Sequence, residues 1–232
     1  MTTKLTHIAI AAALLGAAAI TGAAAQELRA DAPSPELEAS IGGDAVAVTG
    51  AEADEAVTRA NAWLNGVSGM KGRFQQINPD GTVAEGDFYL QRPGRLRFAY
   101  DPPSPLTIVA DGRTVAQIDS ELETVDRTTI DQTPLNYLLK ADVDLSGDAN
   151  VGGVAKQDGL VLISLDDPRG QTEGQLILVF SDTEFALREW VALDAFGQET
   201  RVVLYDLTRQ ARLDPELFTY EFDGSSRRPG QR

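Results

Sequence analysis

From residue 70 onward the chain consists of short alternating segments separated by turn residues, and this punctuation constrains the fold more than any other feature. Asn78-Pro79-Asp80-Gly81 separates 70–77 from 82–91, and Pro93-Gly94 separates the latter from 95–101. Pro102-Pro103-Ser104-Pro105 precedes 106–110, Asp111-Gly112 leads into 113–118, and a sixth run follows at 122–126. The pattern resumes at 153–157, turns at Asp158-Gly159 into 160–166, and continues with 175–181, 185–194, 198–208 and 218–222. Strands joined by such tight turns pair antiparallel, and about a dozen of them are too many for a flat sheet, so the sheet is expected to curl.

Strand parity then assigns faces. In 82–91, Phe88 and Leu90 share one side while Asp87, Tyr89 and Gln91 take the other; in 95–101, Leu96, Phe98 and Tyr100 oppose Arg95, Arg97 and Ala99. One face is oily and the other wet. Leu160-Val161-Leu162-Ile163 and Leu176-Ile177-Leu178-Val179-Phe180 are apolar on both faces, which requires cover on each side. A helix can supply one cover: Ala53, Ala56, Val57, Ala60, Trp63 and Leu64 recur at three- and four-residue spacing between Glu52 and Leu64, and Gly66 ends the stripe. A second, short helix is predicted where Thr133-Pro134-Leu135-Asn136-Tyr137-Leu138-Leu139-Lys140 interrupts the strands, with proline near its first turn. A helical turn is also predicted at Asp214-Pro215-Glu216-Leu217. The interior is either a cavity lined by Phe88, Leu90, Leu96, Phe98, Tyr100 and Ile108, or a barrel core filled by its own side chains.

The chemistry available is narrow. Residues 1–25 read as a signal peptide: Lys4 opens it, Ile8 to Ile20 is apolar, and Ala23-Ala24-Ala25 provides the cleavage site before Gln26. Cleavage removes His7, the sole histidine, and there is no cysteine in the chain. The general base and thiol nucleophile used most often are therefore missing, and no enzyme activity, metal site or cofactor is expected. Asp166-Asp167 is read as a solvated turn before Pro168, and Asp142, Asp144 and Asp148 as a solvated connection that lacks the glycine and distal glutamate of a calcium loop. With 35 acidic against 20 basic residues the chain carries a net charge of -15, so it should repel nucleic acid and anionic membranes. Residues 26–50, rich in Ala, Pro, Glu and Gly, read as a flexible acidic leader, 51–224 as the folded domain and 225–232 as a flexible tail.

Several strings are shared with one family. Gly72-Arg73-Phe74-Gln75-Gln76 is followed by Glu85-Gly86-Asp87-Phe88-Tyr89-Leu90-Gln91-Arg92-Pro93-Gly94-Arg95-Leu96-Arg97-Phe98-Ala99-Tyr100. Pro102-Pro103, Ile108-Val109-Ala110-Asp111-Gly112-Arg113, Thr133-Pro134-Leu135 and Phe218-Thr219-Tyr220 then come in order. Over about residues 52–222 the chain resembles the periplasmic outer-membrane lipoprotein carrier (LolA-like) family. The resemblance implies a mainly β fold with helices: an incompletely closed antiparallel β-barrel with an amphipathic helix and a short helical lid over an apolar cavity. It implies a periplasmic chaperone that carries acylated lipoproteins from the inner to the outer membrane. The implied donor is an inner-membrane lipoprotein-releasing ABC transporter complex and the acceptor an outer-membrane receptor or the membrane itself, with the carrier acting as a monomer. Arg92 matches the family's Arg-Pro turn, whose arginine helps hold the lid shut, here Pro134, Leu135, Leu138 and Leu139; parity puts Arg92 on the Phe88 and Leu90 side if the strand runs on, and without the resemblance a solvent-facing turn arginine is the reading to prefer. Members of the family carry Trp where this chain has Val115 and Phe98. A lipid-anchored receptor of the same fold would need a cysteine after the signal peptide, and none exists. A periplasmic sensor or binding module for another amphiphile is the alternative.

Overall fold

The computed structural model describes residues 45–166, 175–194 and 196–220. The expected signal peptide, the leader up to residue 44, Asp167 and the tail at 225–232 lie outside the described residues. Twelve strands form one sheet. They are β1 (Val46–Val48), β2 (Gly69–Ile77), β3 (Val83–Gln91), β4 (Arg95–Tyr100), β5 (Leu106–Asp111), β6 (Thr114–Asp119), β7 (Thr124–Thr129), β8 (Asn150–Gln157), β9 (Leu160–Asp166), β10 (Gln175–Ser181), β11 (Leu187–Leu193) and β12 (Glu199–Gln210). Eleven of these coincide with segments picked out by alternation. The twelfth does not: the segment read as a strand at 218–222 gives way to a 3-10 turn at Pro215–Phe218, and β1 comes from residues read as leader. Three residues at 46–48 are too few to show a period; they are held by antiparallel pairing with Val154 to Lys156 on β8.

The order β1-β8-β9-β10-β11-β12-β2-β3-β4-β5-β6-β7 describes two antiparallel meanders joined where β12 pairs with β2. The edges, β1 and β7, do not pair with each other, so the sheet curls without closing. The helix α1 (Ala51–Asn65) carries Ala56, Val57, Ala60 and Leu64 into the concave side, as its stripe predicts. After β7 the chain crosses that concavity through a 3-10 turn at Ile130–Gln132 and the short helices α2 (Asn136–Leu139) and α3 (Leu145–Asp148). The helix predicted at Thr133–Lys140 is thus shorter: Thr133 closes the preceding turn by donating its Oγ1 proton to the Ile130 carbonyl at 2.8 Å. Asparagines of α1 fasten this crossing. Asn65 donates to the Val143 carbonyl at 2.9 Å and accepts from its N–H at 2.8 Å, while Asn61 accepts from Leu145 N–H at 3.0 Å. Two of the acidic trio have structural partners: Asp144 caps α3 through Ser146 N–H at 3.2 Å, and Asp148 pairs with Lys140, while Asp142 is exposed.

The concave face holds the core. Phe74, Phe98 and Tyr100 meet edge to face at centroid distances of 4.8 and 5.0 Å about Phe74, and Phe98 reaches Trp190 at 5.9 Å. Gly86 lets this cluster close. A Cβ there would lie 2.2 Å from the Ala99 carbonyl oxygen and 2.7 Å from the Phe74 ring. On the opposite face, Arg73 donates to Asp87 at 3.0 Å and pairs with Asp101, which pushes its pKa up. The 3-10 turn at Pro215–Phe218 lies against β4 and β5 on that side, where Arg97 donates to the Leu217 carbonyl at 3.2 Å and Phe218 is buried. Packing of Phe218 as an anchor, and not as a strand residue, accounts for the missing pairing at 218–220; residues 221 and 222 lie outside the described residues.

Strands β9 to β12 are buried on both faces, as their double-sided pattern predicts: Leu162, Val179, Val191 and Val203 point away from the concave core yet are buried. Among them sits Glu189, 0% exposed, with neither carboxylate oxygen hydrogen bonded. Burial pushes its pKa up from 4.5 to about 7, with Arg201 pulling it back and Glu199 adding to the rise.

Two predictions follow from this packing. For Glu189 the folded pKa exceeds the unfolded one, so its neutral form favours the fold; stability from this group is greatest below about pH 4.5 and is lost as pH rises to about 7. Glu189→Gln should therefore stabilise by about 2 kcal/mol at pH 8 and by almost nothing at pH 4.5. Urea unfolding at the two pH values measures it, and an equal effect at both would show that charge burial is not the cause. Gly86→Ala should cost about 3 kcal/mol, since the nearest obstacle is a backbone carbonyl that cannot rotate away; a midpoint shift under one third of that in the same experiment would refute the close contact.

Candidate functional site

Where α1, the crossing segment and the sheet converge there is a small cavity of about 20 Å³, room for about one or two water-sized spheres. Three sources build its wall. The sheet provides Met70, Phe88, Leu90, Leu96, Leu187, Trp190 and Leu204; α1 provides Trp63 and Leu64; the crossing provides Leu135, Leu138 and Leu139. The thirteenth lining residue is Arg92, just past the end of β3. Every other lining side chain is hydrocarbon, thioether or indole.

The sequence-predicted residues divide between this wall and the packed core behind it. Phe88, Leu90 and Leu96 line the cavity. Phe98 and Ile108, 3% exposed each, are packed core residues, and Tyr100 is half-buried with its hydroxyl donating to Gln76 Oε1 at 2.6 Å. Burial pushes the Tyr100 pKa up, so the hydroxyl stays a neutral donor. On the lid, Leu135, Leu138 and Leu139 line the cavity while Pro134 starts the turn into α2, its carbonyl accepting from Tyr137 N–H at 3.3 Å. Trp63, Leu64, Met70, Leu187, Trp190 and Leu204 were missed as site residues. The α1 stripe contained a signal for Trp63 and Leu64; for the others parity gives a buried face but not which part of it stays unfilled.

The junction between lid and sheet is a backbone contact. Gly94 N–H donates to the Leu139 carbonyl at 2.8 Å, and Arg92 N–H donates to Ser68 at 2.8 Å, fixing the Arg-Pro turn between α1's exit and α2. Gly94 is needed there: its φ is +76° and a Cβ would lie 2.8 Å from Gly112 Cα. The Arg92 side chain itself donates no hydrogen bond. Its Nε, Nη1 and Nη2 are buried and unpartnered, and burial lowers its pKa to about 10. The hydrogen bond to the lid expected of this side chain is made instead by the backbone two residues further on. Trp190 Nε1 is likewise buried without an acceptor. Among the described residues no group of three or more His, Asp and Glu side chains is arranged to hold a metal ion.

The arrangement can do one thing well: hide apolar matter. The lining offers neither nucleophile nor general base, and the lid over it is short and attached by few bonds.

Comparison with known proteins gives the family. Residues 65–221 match the family model described as outer membrane lipoprotein carrier protein LolA. The outer-membrane lipoprotein carrier protein of Bordetella pertussis is 32% identical over 177 residues, 70% of this chain and 81% of that protein. The protein of the same name from Azotobacter vinelandii is 27% identical over 192 residues, 76% of this chain and 89% of the relative. Among solved structures, a LolA superfamily protein from Nitrosomonas europaea aligns with a TM-score of 0.44 at 11% identity, covering 72% of this chain and 97% of that one. The family model spans well over half of the sequence, in the same order as its shared strings, and the chain belongs to the outer-membrane lipoprotein carrier protein family.

Proposed function

We propose that this protein is a periplasmic carrier that takes acylated lipoproteins from the inner to the outer membrane, sheltering their acyl chains between the sheet and the lid. The observation that carries this reading is the apolar cavity under Leu135, Leu138 and Leu139 in a chain of this family. The physical need is large. Each methylene exposed to water costs about 0.8 kcal/mol, so a sixteen-carbon chain carries about 12 kcal/mol across an aqueous compartment. At about 20 Å³ the cavity is far smaller than the ~300–1,000 Å³ of pockets that hold ligands, so loading must displace the lid leucines outward. Phe88, Leu90 and Leu96 then meet the chain first, and Phe98, Tyr100 and Ile108 form the floor behind them. The lid leucines that leave the cavity are replaced by acyl methylenes, so the exchange is close to balanced and reversible. A lipoprotein-releasing ABC transporter in the inner membrane is the proposed donor and a receptor in the outer membrane, or that membrane itself, the proposed acceptor. No chemical step is involved.

Capture tests the cargo. Coexpressed in a periplasm with an acylated lipoprotein, the purified protein should retain it, and should not retain the same lipoprotein whose acylated cysteine is replaced by serine. Leu90→Lys should abolish retention, because an ammonium would be buried in an apolar wall beside the Arg92 guanidinium. Equal retention of acylated and unacylated forms would remove the acyl chain from recognition.

Release tests the lid. In Gly94→Ala the turn must shift, and the Gly94 to Leu139 bond that holds the lid should weaken. Amide exchange at Leu138 and Leu139 should then quicken by about tenfold, equivalent to about 1.4 kcal/mol, while β9 and β10 are unaffected. Such a carrier should load from donor membranes but deliver poorly, since the closed empty state favours unloading. If loading and delivery fell equally, the turn would be a folding element and not a switch.

A further inference from the structure

The cavity's polar atoms are all donors. Arg92 Nε, Nη1 and Nη2 and Trp190 Nε1 are buried and unpartnered, and neither the wall nor the lid supplies a carboxylate or a hydroxyl to meet them. This is an unusual composition. A guanidinium surrounded by leucines loses its hydration without regaining a hydrogen bond, a state that costs several kcal/mol and is relieved only by an opposite charge or a strong acceptor. Among the described residues no counter-charge meets it: the carboxylates that pair with a neighbouring arginine, Asp87 and Asp101 around Arg73, belong to the convex face. The position is also specific, since Arg92 lines the same wall as Leu90, Leu96 and the lid residue Leu138.

We propose that Arg92, with the Trp190 indole N–H, forms an anion-recognition point, and that the site accepts amphiphiles whose long apolar chain ends in a carboxylate or phosphate in preference to neutral ones of equal length. This rests on the acyl-chain reading above and adds a second class of ligand to it, since the ester and amide linkages that join acyl chains to a lipoprotein carry no such anion. A planar guanidinium offers two parallel N–H groups to such an anion, and in a water-poor site the pairing is stronger than at a surface. The same residue then serves the empty state in a different way: an unpartnered charge keeps the closed cavity less stable than a fully apolar one would be, so an incoming anion finds the site poised to open.

The test compares matched pairs at pH 8, where carboxylates and phosphates are ionised. Palmitate against hexadecanol isolates the carboxylate, and palmitoyl lysophosphatidate against monopalmitoylglycerol isolates the phosphate; each competes for a hydrophobic dye bound to the full-length mature protein. The charged member of at least one pair should bind about tenfold or more tightly, and which pair shows the larger ratio identifies the source of the anion. Arg92→Gln should bring the ratio close to one, and Arg92→Lys should keep part of it. Arg95→Gln, which removes a charge three positions away on an exposed side chain, should keep all of it. Thermal melts confirm that each variant is folded, which is expected since the Arg92 side chain makes no hydrogen bond to lose. Equal binding within both pairs would overturn the anion point while leaving acyl-chain binding intact. Binding of neither member would overturn the acyl-chain reading and this inference together. A ratio that survives Arg92→Gln would place the recognition elsewhere.

Discussion

An antiparallel sheet that curls without closing leaves a concave apolar face that has to be covered, and the rest of this molecule follows from how it is covered. Phe74, Phe88, Leu96, Phe98, Leu178 and Trp190 all project to that side from strands far apart in sequence. One permanent cover is α1, whose alanines let it approach closely and whose two asparagines hold the crossing segment by hydrogen bonds to its backbone. The other cover, α2, is four residues long and is joined to the Arg-Pro turn through the Gly94 to Leu139 bond. A helix of that length has no stability of its own, so its position depends on leucines that contact the cavity wall. Anything that competes for that wall competes with the lid.

The arginines on the two faces of the sheet are treated in opposite ways. On the convex side they are matched: Arg73 with Asp87 and Asp101, Arg97 with the Leu217 carbonyl, Arg127 with the Tyr220 hydroxyl at 2.8 Å. The cavity instead keeps Arg92 and the Trp190 indole without acceptors. Buried polar groups are paired almost everywhere in folded proteins, so each unpaired one calls for a physical explanation. Glu189 is a second unpaired group, on β11 beside Trp190 but facing the other way, where Val179 and Val203 flank it. It makes this half of the sheet sensitive to pH without touching the cavity.

Much of this was legible in the sequence because its determinants are local. Turn dipeptides such as Asp158-Gly159 and alternation in segments such as Leu96-Arg97-Phe98 fix where strands begin, end and face, and 3.6-residue spacing fixes α1. Three things were decided only by tertiary structure. Whether 218–220 pairs as a strand depends on Phe218 finding a buried site against β4 and β5, which no local pattern encodes. Whether Phe98, Tyr100 and Ile108 line the cavity or lie behind it depends on how far the sheet curls and on ring packing around Phe74; parity assigns a side chain to a face but says nothing of depth. And whether the Arg92 guanidinium meets an acceptor depends on where the lid's carbonyls point after it folds, a distance between segments separated by more than forty residues, which only the assembled chain can set.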